Sequence, residues 1–242
     1  MNEHIVKAFS EELATLGHKI AAMGGLAERE LADAVTSIER RDLALAGRTV
    51  AADLEIDEAG RDIEAQAILM IARRQPVASD LREIIVAVKI ATDLERVGDL
   101  AKNIARRAER IIENHPQRAM SGFVRMARAA MQQIKDVLDA YSSRDTQKAL
   151  AVWRADEEID SIYNSLFREL LTYMMEDPRN IGSCTHLLFG AKNIERIGDH
   201  ATNIAENIYY LVEGEPLSES RLRLDDTETG RPARPVDADR SA

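Results

Sequence analysis

Two stretches of this chain place acids and an amide at one helical spacing. Glu95, Asp99 and Asn103 lie in LERVGDLAKNIA (residues 94–105), and Glu195, Asp199 and Asn203 lie in IERIGDHATNIA (residues 194–205). A step of four residues advances 400° around an α-helix, so each set forms a stripe on one face, its members ~6 Å apart along the axis. Asp53 and Asp57 form a shorter stripe earlier in the chain, matched later by Asp156 and Asp160. Carboxylates one turn apart repel, and two such pairs facing one another across neighbouring helices repel more unless a cation sits among them. Oxygen donors of this kind suit magnesium, manganese, calcium or iron better than a soft-ligand metal. The chemistry open to these residues is binding a cation or docking a partner.

Other reactive groupings do not appear in the sequence. Ser183 and Cys184 lack a neighbouring His/Asp set for nucleophilic catalysis, and no Gly-rich phosphate loop is present. Di-iron carboxylate proteins project Glu-x-x-His pairs into a bundle interior, and no Glu-x-x-His occurs here. His200 adjoins Asp199, but its counterpart is Leu100, which argues against a shared ligand role; His18 and His186 have no partner spacing and read as structural or surface residues. Arg96 and Arg196 either pair with a carboxylate across the groove or are solvated. Gly98 and Gly198 each cost a helix interior ~1 kcal/mol relative to alanine, so their retention in both stretches points to close approach by a neighbouring helix or a ligand, with packing the first reading.

The elements that must position these residues come as two copies of one unit. The stretches at 94–105 and 194–205 align without a gap at an offset of 100, while Arg41-Asp42 matches Arg144-Asp145, and Asp53/Asp57 matches Asp156/Asp160, at an offset of 103. Pro76 and Pro178 fall between the matched blocks, and the join lies near His115-Pro116. Positions 100, 102 and 106, read as exposed, differ between the copies (His200, Thr202 and Glu206 in the second), whereas the acid, glycine and asparagine positions do not. A solubility role alone does not require that.

Each half reads as three helices, spanning roughly 3–39, 42–74 and 79–114, then 119–142, 145–176 and 181–213. Asp42 and Asp145 stand where a helix begins, and Asp80 with Glu83 forms a capping box. In the third helix Ile90, Leu94, Val97, Ala101, Ile104, Ala108 and Ile111 recur at steps of three and four, and Ile194, Ile197, Ala201, Ile204, Ile208 and Leu211 repeat the seam. The stripe of Glu95, Asp99 and Asn103 centres about 180° from that seam. Ile56, Ile63, Ala67 and Met70 mark the buried face of the second helix, with Asp53 and Asp57 roughly 100° to one side. The expected site therefore lies on the outer surface, in the groove between the second and third helices. From Gly214 onward the apolar periodicity stops, and the polar segment to Ala242 reads as a disordered tail.

Composition agrees with an all-α fold. Aromatics are 4% of the 242 residues against 45% hydrophobic, and Gly 12 and Pro 6 are too few for the turns of a β-sandwich or barrel. A net charge of −10 disfavours a nucleic-acid binder and suits cations or a basic protein surface. The single cysteine excludes a disulfide framework and a thiolate metal cage. Met1-Asn2-Glu3-His4 is not the start of a secretory signal, and no run approaches the ~20 apolar residues that span a bilayer. A soluble, cytoplasmic protein is expected, reaching any membrane through a partner.

Two tandem three-helix units, each with Asp-x-x-x-Asp followed by Glu-Arg-hydrophobic-Gly-Asp-x-x-x-x-Ile-Ala, resemble the PhoU family of phosphate-signalling regulators. The second motif stands here as Glu95-Arg96-Val97-Gly98-Asp99 and Glu195-Arg196-Ile197-Gly198-Asp199. The resemblance covers roughly residues 5–213. It implies an all-α fold of two tandem three-helix bundles, at 3–115 and 117–213, with the tail at 214–242 outside it. It implies no enzymatic activity. It further implies a cytoplasmic negative regulator of phosphate uptake and phosphate-regulon signalling, an adaptor between the transporter ATPase subunit PstB and the sensor kinase PhoR, acting as a homodimer. Metal ions (magnesium, manganese, iron or zinc) would be held by Asp53, Asp57, Glu95 and Asp99 in the first half and by Asp156, Asp160, Glu195 and Asp199 in the second, with Asn103 and Asn203 as possible additions. The alternatives are a helical accessory protein of another, low-affinity phosphate transporter and, ranked last, a di-metal carboxylate enzyme.

Overall fold

The computed structural model describes residues 2–113 and 117–217, and within them the chain forms seven α-helices. The first half contains α1 (Asn2–Glu39), α2 (Leu43–Arg74), α3 (Ser79–Ala105) and the short α4 (Ala108–Glu113). The second contains α5 (Gln117–Ser143), α6 (Thr146–Glu176) and α7 (Ile181–Glu213), with one 3-10 turn at Pro178–Asn180 leading into α7. The expected join at His115-Pro116 and the expected tail beyond Leu217 lie outside the described residues. Gly214 closes α7 in the left-handed region (φ 81°), its N–H donating to the Tyr210 carbonyl at 3.0 Å.

The two copies turn their first corner the same way. Arg41 and Arg144 adopt left-handed backbone (φ 56° and 52°). The next N–H folds back, from Asp42 to the Ser37 carbonyl at 2.8 Å and from Asp145 to the Ala140 carbonyl at 3.0 Å, which satisfies acceptors that a helix end leaves open. Both aspartates then cap the following helix. Asp42 accepts from the Leu45 N–H at 2.8 Å, and Asp145 from those of Gln147 and Lys148 at 2.9 and 3.1 Å.

Two local expectations fail. The Asp80/Glu83 capping box does not form: α3 begins after Ala78, with no side-chain cap, and Glu83 instead pairs with Arg144 of the second half. The third helix also does not run unbroken to 114. It stops at Ala105, and a turn at Arg106-Arg107 separates it from α4. Arg107 turns toward α7, 4.9 Å from the Phe189 ring and 3.4 Å from His186 Nδ1, while Ala108 and Ile111 stay fully buried and continue the seam.

Packing follows the apolar stripes. In α1, Leu16, Ile20, Met23, Ala27, Leu31, Ala34 and Ile38 recur at steps of three and four and are buried, as are all the seam residues of α3, α4 and α7 named above. α2 lies against α1 and α3, and α6 lies against α5 and α7. α1 also packs on α5, and α3 on α7, so the two bundles share one continuous aliphatic core, with α2 and α6 on the flanks. Among the described residues no helix is long and apolar enough to cross a membrane.

The paired caps carry a direct test. Asp42→Ala and Asp145→Ala are each expected to lower stability by about 1 kcal/mol, or ~2–4 °C in melting temperature for a chain of this size, with helix content retained. Melting curves followed by circular dichroism measure this; no shift in either variant would mean that the corners alone hold these helix starts.

Candidate functional site

The acids of the first half line the contact between α2 and α3, but at different depths. Asp57 and Glu95 are half-buried, and the Asp99 side chain is 35% exposed. Asp53 is only 4% exposed, which corrects its expected place on the outer flank. The glycine explains the depth. A methyl group on Gly98 would lie 2.8 Å from Ile56 Cδ1 of α2 and 3.4 Å from Glu30 Oε2 of α1, so the bare backbone lets α3 settle onto both helices and closes the groove over Asp53. In the second half the corresponding methyl on Gly198 would lie 3.1 Å from Ile159 Cδ1, 3.2 Å from Asp156 Oδ1 and 3.3 Å from Gln133 Oε1. Asp156 is half-buried there, the Glu195 side chain is 15% exposed, and Asp160, Asp199 and Asn203 face solvent, whereas Asn103 is half-buried.

A cation already stands in the first groove. Lys102 Nζ donates to Asp53 Oδ2 at 2.5 Å and to Asp99 Oδ1 at 2.6 Å, joining α2 to α3 with its own side chain 15% exposed. Burial works to lower the pKa of this ammonium, but its hydrogen bonds to the two aspartates outweigh that and raise it. Positions 100 and 102 were expected to be exposed; instead Leu100 is buried and Lys102 sits at the centre of the groove. The Arg96 side chain remains 60% exposed, 3.4 Å from Asp99 on its own helix, so it does not reach across the groove.

Two functional candidates escaped the sequence reading. Glu30 on α1 is 4% exposed, with both carboxyl oxygens lacking a hydrogen-bond partner. Burial, reinforced first by the charge of Asp53, pushes its pKa up to about 8. Its counterpart on α5, at the same offset of 103, is Gln133, 5% exposed with its amide O and N both without hydrogen bonds. The signal was present in the sequence. Each polar residue interrupts an apolar seam, Ala27–Ala34 in one copy and Ala130–Val137 in the other.

In the second groove Lys192 reaches Glu195 at 2.5–2.6 Å from its own helix and stands 5.4 Å from the Tyr163 ring centre, its side chain 48% exposed. Burial of the Asp160 carboxyl, with the charge of Glu195 next in weight, raises its pKa. His200 is turned away from the acid stripe and meets Asp93 of α3 at 3.0 Å. Cys184 is fully buried, which raises the pKa of its thiol and removes it as a nucleophile. Among the described residues no three His, Cys, Asp or Glu side chains converge on one point that could hold an ion as they stand. Carboxylates at helical spacing repel one another, and lysines, Lys102 in the first groove and Lys192 in the second, stand against them. The donors are hard oxygens, and the buried, unpaired Gln133 amide is aimed at the second set, so the residues present fit a divalent ion there.

A duplicated all-α bundle with acidic side chains gathered along two flank grooves is a helical scaffold. The family model described as the PhoU domain matches it twice, at residues 20–108 and 123–208, and the chain belongs to that family. It is 55% identical to the phosphate-specific transport system accessory protein PhoU homolog of Rhizobium meliloti (strain 1021), over 93% of this chain and 96% of that protein. It is 38% identical to the PhoU accessory protein of Escherichia coli (strain K12), over 89% of each. The crystal structure of PhoU from Pseudomonas aeruginosa superposes with a TM-score of 0.82 at 39% identity, covering 86% of this chain and all of that one. That of the phosphate transport system regulatory protein PhoU from Streptococcus pneumoniae gives 0.81 at 28% identity, covering 87% and 99%. The relatives are accessory and regulatory proteins, not enzymes.

Glu30 makes stability depend on pH. The folded chain holds its proton to about pH 8, whereas the unfolded chain releases it near 4.5, so stability falls as pH rises through that window and levels off above it. Glu30→Gln is expected to remove that slope, gaining on the order of 3 kcal/mol more at pH 8.5 than at pH 5. Urea unfolding of the metal-free chain at the two pH values measures this; equal differences at both would show Glu30 ionised throughout.

Proposed function

We propose that this chain is a non-enzymatic negative regulator of phosphate uptake and phosphate-regulon signalling, an adaptor between a PstB-type transporter ATPase subunit and a PhoR-type histidine kinase. The observation that carries this reading is near full-length homology to proteins named as accessory to the phosphate-specific transport system. The fold supports it: long helical faces and a net charge of −10 suited to basic partner surfaces. The working place is the cytoplasm, at the inner membrane through its partners. Exposed apolar side chains on the flanks, Leu54, Ile68 and Leu69 on α2 and Phe167, Leu171 and Met175 on α6, are surfaces for a partner or for the second copy of a homodimer.

The same reading gives the grooves a cation-binding role. Asp53, Asp57, Glu95 and Asp99 in the first half, and Asp156, Asp160, Glu195 and Asp199 in the second, are the donors, with Asn103 and Asn203 extending the stripes. A metal bound there would neutralise facing carboxylates and tie the flank helix to its neighbour, fixing the surface offered to partners.

Two experiments test the proposal. In a deletion strain carrying a phosphate-regulated reporter, supplying this chain is expected to restore repression when phosphate is plentiful; expression that stays constitutive removes the regulatory reading. In vitro, Asp99→Ala combined with Asp199→Ala is expected to abolish the rise in melting temperature produced by manganese or magnesium while leaving helix content intact. A full shift in the double variant would exclude these grooves as the metal sites.

A further inference from the structure

We propose that the outer face of α5, with the adjoining end of α1, is an electrostatic contact for the anionic headgroups of a lipid bilayer. This rests on the regulatory reading above, which sets the chain beside a membrane transporter, and adds a surface that meets the membrane directly. The sequence changes character at the join of the two copies. Between Glu113 and Asp136 there is no acid, while Arg118, Arg125, Arg128 and Lys135 fall in that stretch of a chain whose net charge is −10. Arg125, Arg128, Gln132 and Lys135 recur at steps of three, four and three and are all exposed. They form one stripe ~15 Å long down the solvent side of α5. Among the described residues Arg125, Arg128 and Lys135 pair with no carboxylate, and Gln132 donates to Asp136, the acid that ends the run, at 2.7 Å.

The neighbouring helix extends the patch. Asp93 with His200 and Arg107 with His186 tie α3 to α7 in opposite directions, so the two copies are antiparallel and α5 lies antiparallel to α1, Gly24 against Leu138. That brings exposed Arg29 beside the stripe and the exposed corner at Arg40-Arg41 beside the first turns of α5. The acids on this side of α1, Glu28, Asp33 and Glu39, form no ion pair with these cations. The occupant follows from what the face lacks. Every exposed large apolar side chain among the described residues lies on α2, α3, α6, α7 or the connection at Val77, and none lies on α1 or α5. A lasting protein partner is anchored by buried aromatic and apolar groups, whereas lipid phosphates need only cations at one level. The acid stripes of α3 and α7 stand across the core, at least one helix spacing (~10 Å) farther from such a surface, where a Debye length of ~8 Å screens their repulsion. Such contacts are weak, about fivefold in affinity per arginine, so the face orients a chain that its partners already hold.

Co-sedimentation of the full chain with vesicles of phosphatidylcholine, with and without added phosphatidylglycerol, tests the inference. The native chain is expected to bind only the anionic vesicles at ~0.1 M salt and to be released at ~1 M. Arg125→Glu with Arg128→Glu should weaken that binding about tenfold or more, and Arg125→Gln with Arg128→Gln by less. Arg61→Glu with Arg168→Glu, at exposed sites on α2 and α6, changes the net charge equally and should leave binding within about twofold. Circular dichroism checks that each variant folds; if the α5 glutamate pair does not, the glutamine pair decides. No binding to anionic vesicles, equal binding to neutral ones, or an equal loss in the α2 and α6 pair overturns the inference. So does a nucleic-acid duplex bound more tightly than the vesicles through the same arginines. Each of these leaves the regulatory reading in place if the chain still restores repression in the deletion strain. Failure to restore repression, with vesicle binding intact and lost in the α5 variants, overturns that reading and keeps the lipid contact.

Discussion

A carboxylate taken out of water must be neutralised where it stands, and Asp53 is such a group. It lies 4% exposed in the contact between α2 and α3 because Gly98 presents no side chain to hold those helices apart. Its partner, Lys102, is 15% exposed and also holds Asp99, whose side chain is 35% exposed. Ion pairs at this depth contribute little net stability beyond what well-packed apolar residues would give, though breaking one costs several kcal/mol. Their consequence is geometric. The ammonium ties α2 to α3 across the approach that Gly98 permits, and burial, with the charge of Asp53 next, keeps Glu30, one layer deeper, protonated to about pH 8.

The second half meets the same constraint with different residues. Its glycine, acids and asparagine are those of the first half, but the buried acid beneath them is an amide and the bridging lysine is a threonine. Two changes at paired positions thus replace a bridging ammonium and a buried carboxyl by a hydroxyl and a buried amide, and Glu30, Gln133 and Thr202 alike leave buried polar atoms without hydrogen bonds. Copies that began alike have kept the donors and changed the counter-charge.

Much of the architecture was legible in the sequence because helical periodicity, capping and proline placement are local. The corners at Arg41-Asp42 and Arg144-Asp145 and the buried seams of α3 and α7 follow from spacing alone. The site was legible in its acids and not in its depth. How far Asp53 is buried depends on the distance between two helices, which Gly98 sets and no angular plot along one helix contains. Lys102 was misread because a lysine three residues from an aspartate on an acidic stripe looks like a solvated neighbour until the facing helix is in place. Glu30 and Gln133 do not stand out in the sequence because they are not the same residue type in the two copies and share only a register and a burial. The Asp80/Glu83 box failed for a related reason. Its local logic was sound, but Glu83 had a stronger partner in Arg144, 61 residues away.

The grooves lie on opposite flanks of one core, and what joins them is the contact of α3 with α7. Each of these helices carries its acid stripe on one side and its apolar seam on the other, so the two seams face one another in the middle of the molecule while the two stripes look outward. Asp93 with His200 and Arg107 with His186 pin the same contact through polar groups. A change in how α6 sits against α7 therefore reaches the first half through densely packed side chains that shift as a unit rather than yield individually. Fusing the bundles into one core, where two independent cores would have sufficed for stability, gives a binding event on one flank a mechanical route to the other. In the adaptor role proposed above, that route runs through the apolar seams of α3 and α7.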